Sequence, residues 1–171
     1  MGLVDSKVAI VTGGGANIGE ACAKMLAAQG AKIVVADINL EGAERVASEI
    51  TKSGGTAIAH TVDLGDEPSI AALVAIVMEK FGRIDILHNN AANTGAAQMT
   101  RDAALTDMEA DVWDAAFDVN TRGTMLMTKH VAPHMIAGGG GSIINTSSGV
   151  SLLGDILNPA YSASKAAVNA L

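Results

Sequence analysis

Tyr161 and Lys165 stand four residues apart in Tyr161-Ser162-Ala163-Ser164-Lys165. On a helix, residues at that spacing share one face. A phenol is a poor acid or base at neutral pH, because its ordinary pKa is about 10. A nearby ammonium stabilises the phenolate and lowers that value. Lowering it by about three pH units takes about 4 kcal/mol of differential stabilisation. Such a pair suits the proton transfer that accompanies hydride transfer at a carbon–oxygen bond. The same spacing also describes two polar residues on a solvated helix face. The elements that position the pair therefore decide its meaning.

A second group with chemical potential is Thr12-Gly13-Gly14-Gly15-Ala16-Asn17-Ile18-Gly19, between an apolar run and a helical pattern. A glycine-rich turn from a first strand into a first helix presents free backbone N–H groups to an anion. Glycine also lets a pyrophosphate approach without a side chain in its way. Asp37 ends the next apolar run. A carboxylate there can accept hydrogen bonds from the adenosine ribose hydroxyls and would repel a 2′-phosphate, which favours NAD over NADP. Its other reading is an N-cap for the following helix. No Lys-Ser or Lys-Thr follows the glycines, so a P-loop is excluded. A nucleotide-dependent methyltransferase fits the glycine turn and acidic strand end equally well, but does not need Tyr161 and Lys165.

Short apolar runs alternate with longer amphipathic stretches along the whole chain. The runs are Lys7–Thr12, Lys32–Asp37, Thr56–Val62, Ile84–Asn89 and Ser142–Thr146. Each is rich in Val or Ile, as expected of parallel strands buried on both faces. Helices are expected over Ile18–Gln29, Leu40–Ser53, Glu67–Phe81 and Asp111–Ala137, with another from about Asn158. Gly30, Gly54 and Gly82 fall where helix C-terminal glycines belong, and Asp66 is a sensible N-cap. Gly138 to Gly141 reads as a tight helix-to-strand connection, and Gly95–Glu109 as a longer polar one that could wall a site. The fold class is α/β, a doubly wound parallel sheet of Rossmann type. No interdomain linker is evident, so residues 1–171 are read as a single dinucleotide-binding domain.

Composition excludes several classes. The chain has 171 residues, enough for a substantial core. It is 49% apolar but only 2% aromatic, so that core must be aliphatic. A net charge of -7 argues against a nucleic-acid partner. No stretch reaches membrane-spanning length, and Asp5 and Lys7 precede an apolar run too short for a secretion signal. Cys22 has no internal partner and lies in a helical pattern, which fits a packed thiol in a reducing compartment. A cytoplasmic protein is expected. His130 and His134 have the spacing of some zinc ligands, but no third ligand is apparent and no metal is expected. His88 ends the fourth run and is assigned no role.

The sequence resembles the short-chain dehydrogenase/reductase family along its whole length. The family's Thr-Gly-x-x-x-Gly-x-Gly turn falls on Thr12, Gly13 and Gly19, with Asn17 in place of the middle glycine. Asn is among the non-glycine residues most tolerant of left-handed backbone. The family's Asn-Asn-Ala-Gly turn falls on Asn89, Asn90, Ala91 and Ala92, and its adenine-side Asp on Asp63. The resemblance implies a cofactor held by Gly13, Asn17, Ile18 and Gly19, then by Asp37, Asp63 and Leu64. Asn90, Ala91, Tyr161 and Lys165 complete that set.

The family's active-site tetrad of Asn, Ser, Tyr and Lys falls on Asn120, Ser148, Tyr161 and Lys165. Spacing to the tyrosine selects Ser148 over Ser147. By resemblance, Tyr161 is the general acid/base and Ser148 donates a hydrogen bond to the substrate oxygen. Lys165 tunes Tyr161 and holds the nicotinamide ribose, and Asn120 positions a water that links Lys165 to solvent. The implied protein is an NAD(P)-dependent oxidoreductase, NAD favoured, acting on a small secondary alcohol or ketone.

The family fold continues beyond a tyrosine helix with further strands and helices that cover the substrate. Here the pattern ends in mid-helix at Leu171, with no glycine or proline stop. A C-terminally incomplete chain is therefore expected, lacking the last strands and the substrate lid. Family dimers use the tyrosine helix, so the full-length form is expected to be a homo-oligomer. The second reading is a truncated, catalytically inactive dinucleotide-binding module.

Overall fold

The computed structural model describes residues 2–171. Its strands are β1 (Val8–Thr12), β2 (Lys32–Asp37), β3 (Thr56–Thr61), β4 (Ile86–Asn89) and β5 (Ser142–Asn145). All neighbouring pairs run parallel, in the order β3-β2-β1-β4-β5. The helices are α1 (Asn17–Ala28), α2 (Leu40–Lys52), α3 (Glu67–Phe81), α4 (Ala96–Arg101), α5 (Ala110–Phe117), α6 (Gly123–Ala137), α7 (Val150–Leu153) and α8 (Pro159–Ala170).

Strand alternation divides the core between the two faces of the sheet. Val8, Ile10, Val34 and Leu87 point to one face and pack with α3 and α6 through Leu73, Val77, Met127 and Val131. Ala9, Val11, Ile33 and Val35 point to the other and pack with α1 and α2 through Ala23, Ala43, Val46 and Ile50. The largest wholly buried side chains are aliphatic or methionine, Ile10, Ile33, Ile70, Leu73, Leu87 and Met127 among them. Full burial of such a side chain contributes about 1.5–3 kcal/mol. Helices on both faces of a parallel sheet are the doubly wound Rossmann-type arrangement expected.

Burial on both faces holds for the central strands only. Residues of β3 are exposed or half-buried, and Ser142, Ile143 and Ile144 of β5 are exposed. Each is an edge strand with one neighbour, and an apolar run does not declare whether a helix covers it. β4 starts later than its apolar run suggests. The buried Asp85 instead accepts a hydrogen bond from the Val8 N–H (2.9 Å) and pairs with Arg83.

Helix ends follow their residues. Asp66 accepts from the Ser69 N–H at 3.2 Å, and Gly82 closes α3 at φ +71°. Asn39, not Asp37, caps α2, through the Gly42 N–H at 3.3 Å. The long helix expected over Asp111–Ala137 runs through α5 and α6 with helical backbone at both junctions, and one wide π turn, Asp118–Arg122, joins the two. Such a turn inserts an extra residue into the helix and re-aims the side chains beyond it. Among the described residues, no helix is long and apolar enough to cross a membrane.

Candidate active site

The chain reverses its direction of travel across the sheet between β1 and β4. In open α/β sheets, ligands bind beyond the strand C-termini at such a point. A cavity of about 760 Å³ lies there. Its walls include Gly13, Asn17, Ile18 and Gly19 after β1, and Asp37 and Ile38 after β2. Asp63 and Leu64 line it after β3, and Asn90 to Gly95 after β4. Thr146, Ser147, Ser148, Tyr161 and Lys165 close its far end.

The glycine turn is built by backbone necessity. Gly13 adopts φ +62°, and a Cβ there would stand 2.9 Å from the Ala91 Cα. A Cβ on Gly19 would overlap the Gly13 carbonyl oxygen and stand 2.7 Å from Asn90 Nδ2. Asn17 takes the left-handed conformation itself, at φ +49°, as its tolerance for that region allows. Thr12 staples this turn to the β4 end. Its hydroxyl accepts from the Asn90 N–H (3.1 Å) and Ala91 N–H (3.2 Å) and donates to the His88 carbonyl (3.3 Å). The sequence places Thr12 at the head of the glycine turn, but nothing in it marks the hydroxyl as the tie to the β4 end.

Asp37 holds the same turn. Its two oxygens accept from the Gly15 N–H at 2.8 Å and the Asn39 N–H at 2.9 Å. A carboxylate offers about four lone-pair sites, so two remain open on a residue that lines the cavity. Nearby Arg45 is drawn away from it. Arg45 donates to the Gly15 carbonyl at 2.9 Å and pairs with Glu20 (2.6 Å) and Glu49 (3.0 Å). Hydrogen bonds from Arg45 and then Lys24 hold the Glu20 carboxyl down at about 2. Asp63 accepts from the Gly65 N–H at 2.8 Å.

At the other end, Lys165 is 2% exposed and donates from Nζ to the Thr146 carbonyl at 2.8 Å. Its ammonium lies 6.0 Å from the Tyr161 ring centre. Burial pushes its pKa below the usual lysine range. The unfolded chain then holds this proton to higher pH than the folded one. Stability contributed at this site must rise with pH between the lowered value and the ordinary one near 10.5. Urea denaturation checks the sign. Wild type is expected to gain stability relative to Lys165→Met between pH 7 and pH 10, and a relative loss would contradict the burial argument.

The two serines part company. Ser147 Oγ donates to the Lys165 carbonyl at 3.0 Å, anchoring α8. The Ser148 hydroxyl makes no hydrogen bond among the described residues, and only its carbonyl is engaged, by Ser151. Ser148 is thus the one free to meet a ligand. Asn120 is not in the cavity wall. The π turn buries it completely, with Oδ1 accepting from the Asn93 N–H (2.7 Å) and Nδ2 donating to Ser164 Oγ (2.9 Å). Both polar ends of its side chain are engaged by protein, so the side chain also braces α8 through Ser164.

His88 lies behind the cleft, with Nε2 2.9 Å from Thr146 Oγ1, and burial lowers its pKa. His130 contacts Glu67 at 2.9 Å. Among the described residues, no group of three or more His, Cys, Asp or Glu side chains is arranged to hold a metal ion.

Known proteins share this arrangement. The family model for short chain dehydrogenases matches residues 7–171. A probable short-chain type dehydrogenase/reductase of Bradyrhizobium diazoefficiens is 44% identical over 172 residues, covering 100% of this chain and 60% of its own. A 7α-hydroxysteroid dehydrogenase solved with NADH and 7-oxo glycochenodeoxycholic acid superposes with a TM-score of 0.89 at 35% identity. It covers 98% of this chain and 63% of its own. A metagenomic short-chain oxidoreductase in complex with NADP gives a TM-score of 0.90 at 36% identity, covering 98% of this chain and 73% of its own. The chain therefore spans about 60% of the length of the first of these relatives. On its sequence and its fold alike, it belongs to the short chain dehydrogenase family.

Proposed function

We propose that this chain carries the cofactor half and the acid/base group of a nicotinamide-dependent oxidoreductase that interconverts a small secondary alcohol and a ketone. One observation carries the reading: the glycine turn, Asp37 and the Tyr161–Lys165 pair line one continuous cavity at the reversal point of the sheet. The cavity has the size of a cofactor site. Gly13 and Gly19 leave a cradle that any Cβ would fill. Residues 1–171 act as one dinucleotide-binding unit in this reading.

Asp37, Asp63 and Leu64 would hold the adenosine end, and Gly13, Asn17, Ile18 and Gly19 the pyrophosphate. Asn90, Ala91, Tyr161 and Lys165 would hold the nicotinamide riboside. When bound, the nicotinamide supplies or accepts a hydride. The Tyr161 hydroxyl gives its proton to the substrate oxygen in reduction, leaving the phenolate, and the phenolate takes the proton back in oxidation. Ser148, its hydroxyl free, donates a hydrogen bond to that same oxygen. Lys165 supplies the positive charge that a phenolate needs, since no other cation lines the cavity among the described residues. Thr146 aims that charge by accepting from Nζ. Asn120 acts by bracing α8 rather than by touching substrate.

NAD is the preferred cofactor in this reading. A 2′-phosphate would meet the Asp37 carboxylate, while Arg45, the nearby cation, is committed to Glu20 and Glu49. Ribose hydroxyls would instead donate to the spare lone pairs of Asp37. A hydrogen bond to a charged group is worth about 1.5–3 kcal/mol, so NADH is expected to bind at least about tenfold more tightly than NADPH. Fluorescence titration of both cofactors tests this. Asp37→Asn should narrow the ratio, and tighter binding of NADPH to the wild-type chain would overturn the assignment. The full protein is read as a homo-oligomer of the cytoplasm, on the family likeness and the single free thiol of Cys22.

A further inference from the structure

Helix α8 carries Tyr161 and Lys165, yet it does not cap itself. Its preceding residue, Asn158, makes no side-chain hydrogen bond to the first turn. The Asn158 amide instead contacts Asp155 at 3.4 Å. Pro159, at the first helical position, has no N–H to satisfy. The next two N–H groups, of Ala160 and Tyr161, are the orphan donors of the first turn. Both are satisfied by one residue distant in sequence. Asp102 accepts from the Ala160 N–H at 3.0 Å with one oxygen and from the Tyr161 N–H at 2.9 Å with the other. The Ser162 N–H then returns to the Asn158 carbonyl at 3.0 Å, as in regular helix.

Asp102 is 2% exposed. It ends α4, and its own N–H donates to the Gln98 carbonyl at 3.0 Å. It thus belongs to the segment after β4 whose earlier residues, Asn93 to Gly95, line the cavity. That segment grips α8 in two places. Asn93 holds Asn120, which holds Ser164 in the middle of the helix. Asp102 holds the first turn at Tyr161 itself. Two fixed points, one at the start and one a turn further on, set both the translation and the rotation of a helix. Ser147 and Thr121 hold the helix further along, at the Lys165 and Ser164 carbonyls, so Asp102 is the tether on the first-turn N–H groups.

We propose that Asp102 is a positioning residue for Tyr161: by capping α8 from the segment that continues the cavity wall, it fixes where the phenol meets the cleft. This rests on the reading of Tyr161 as the acid/base group. The bidentate cap also places a negative charge at the positive end of the helix, where charge and dipole attract. The wall segment and the proton-transferring residue therefore move as one body.

The test uses the 171-residue chain with NADH, read by NMR, because Tyr161 is its only tyrosine. In Asp102→Ala, the Ala160 and Tyr161 amides should exchange with solvent about tenfold faster or more, while the Ile10 amide in the sheet changes by less than about twofold. Magnetisation transfer from the nicotinamide ring to the Tyr161 ring should fall by at least about half. Asp102→Asn keeps one acceptor oxygen and should give intermediate values for both, and it serves where the alanine variant does not fold. Turnover, where measured, should show a lower kcat with an unchanged KM for NADH. The proposal is overturned if both variants keep wild-type exchange at Ala160 and Tyr161, or wild-type transfer to the Tyr161 ring, whatever happens to Tm. Absence of transfer in the wild-type chain would instead sink the reading of the cleft, and the proposal with it. The amide exchange pattern, independent of NADH, tells the two failures apart.

Discussion

Replacing Tyr161 by phenylalanine is expected to lower the rate of NADH-dependent ketone reduction by about 10²–10⁴-fold, the range for loss of a positioned proton donor. The substitution is unusually clean. The Tyr161 hydroxyl makes no hydrogen bond to protein among the described residues; only its backbone is engaged, with Asp102 and Ser164. Removing the oxygen leaves the ring, the helix cap and the neighbouring Lys165 in place. Thermal stability should stay within about 0.5 kcal/mol of wild type, and NADH affinity should be nearly unchanged. Steady-state kinetics beside a melting curve reads both quantities. Turnover in Tyr161→Phe equal to wild type would remove Tyr161 from the chemistry and overturn its assignment as the acid/base group.

The second large effect is expected at Gly19. An alanine Cβ there would overlap the Gly13 carbonyl and press on Asn90, and both neighbours line the cleft. The clash is with backbone, which cannot swing aside as a flexible side chain can. Overpacking of this kind costs about 3 kcal/mol at the upper end of the usual range. For a chain of this size that corresponds to a Tm lower by roughly 6–12 °C. Relief by moving the Gly13 turn should also weaken NADH binding by at least about tenfold. Differential scanning calorimetry and a cofactor titration would show whether the two losses occur together. A Gly19→Ala variant that binds NADH normally would mean that the turn is not the pyrophosphate cradle.

Much of this architecture is legible in the chain because parallel strands buried on two faces are written as uninterrupted apolar runs. The run Val8 to Val11 cannot be read in any other way once Gly13 and Gly19 come after it. Helix α3 is equally plain, because Asp66 and Gly82 are unambiguous start and stop signals at its two ends. What escapes the sequence is whatever depends on backbone partners far along the chain. Asp102 is one acidic residue in a polar connection, and the N–H groups it accepts from lie 58 and 59 residues away. The π turn at Asp118–Arg122 carries ordinary helical residues, so nothing marks the extra residue that turns Asn120 inward. Edge strands fail for a different reason: Ile58 of β3 looks like a core residue, and only the sheet order reveals that β3 has a single neighbour. Among the serines, spacing alone favours Ser148, and the physical distinction appears only when the Ser147 hydroxyl is found bonded to the Lys165 carbonyl.

Asp37 illustrates how one residue can serve two ends at once. Its place at the end of a strand suits a helix cap as well as a ribose contact. Asn39 takes the cap, and Asp37 instead ties the glycine turn through Gly15 while lining the cavity. A variant at Asp37 will therefore change both the shape of the turn and the charge that a cofactor meets, and Asp37→Asn is the milder probe because it retains an acceptor.

The central claim is that a nicotinamide lies against Tyr161 at the end of the cavity. The most direct test is magnetisation transfer from the nicotinamide protons of bound NADH to the ring protons of Tyr161, unambiguous in a chain with a single tyrosine. Strong transfer that disappears when excess NAD displaces the NADH is the predicted result. NADH that binds without any transfer to Tyr161, or that does not bind at all, would contradict it.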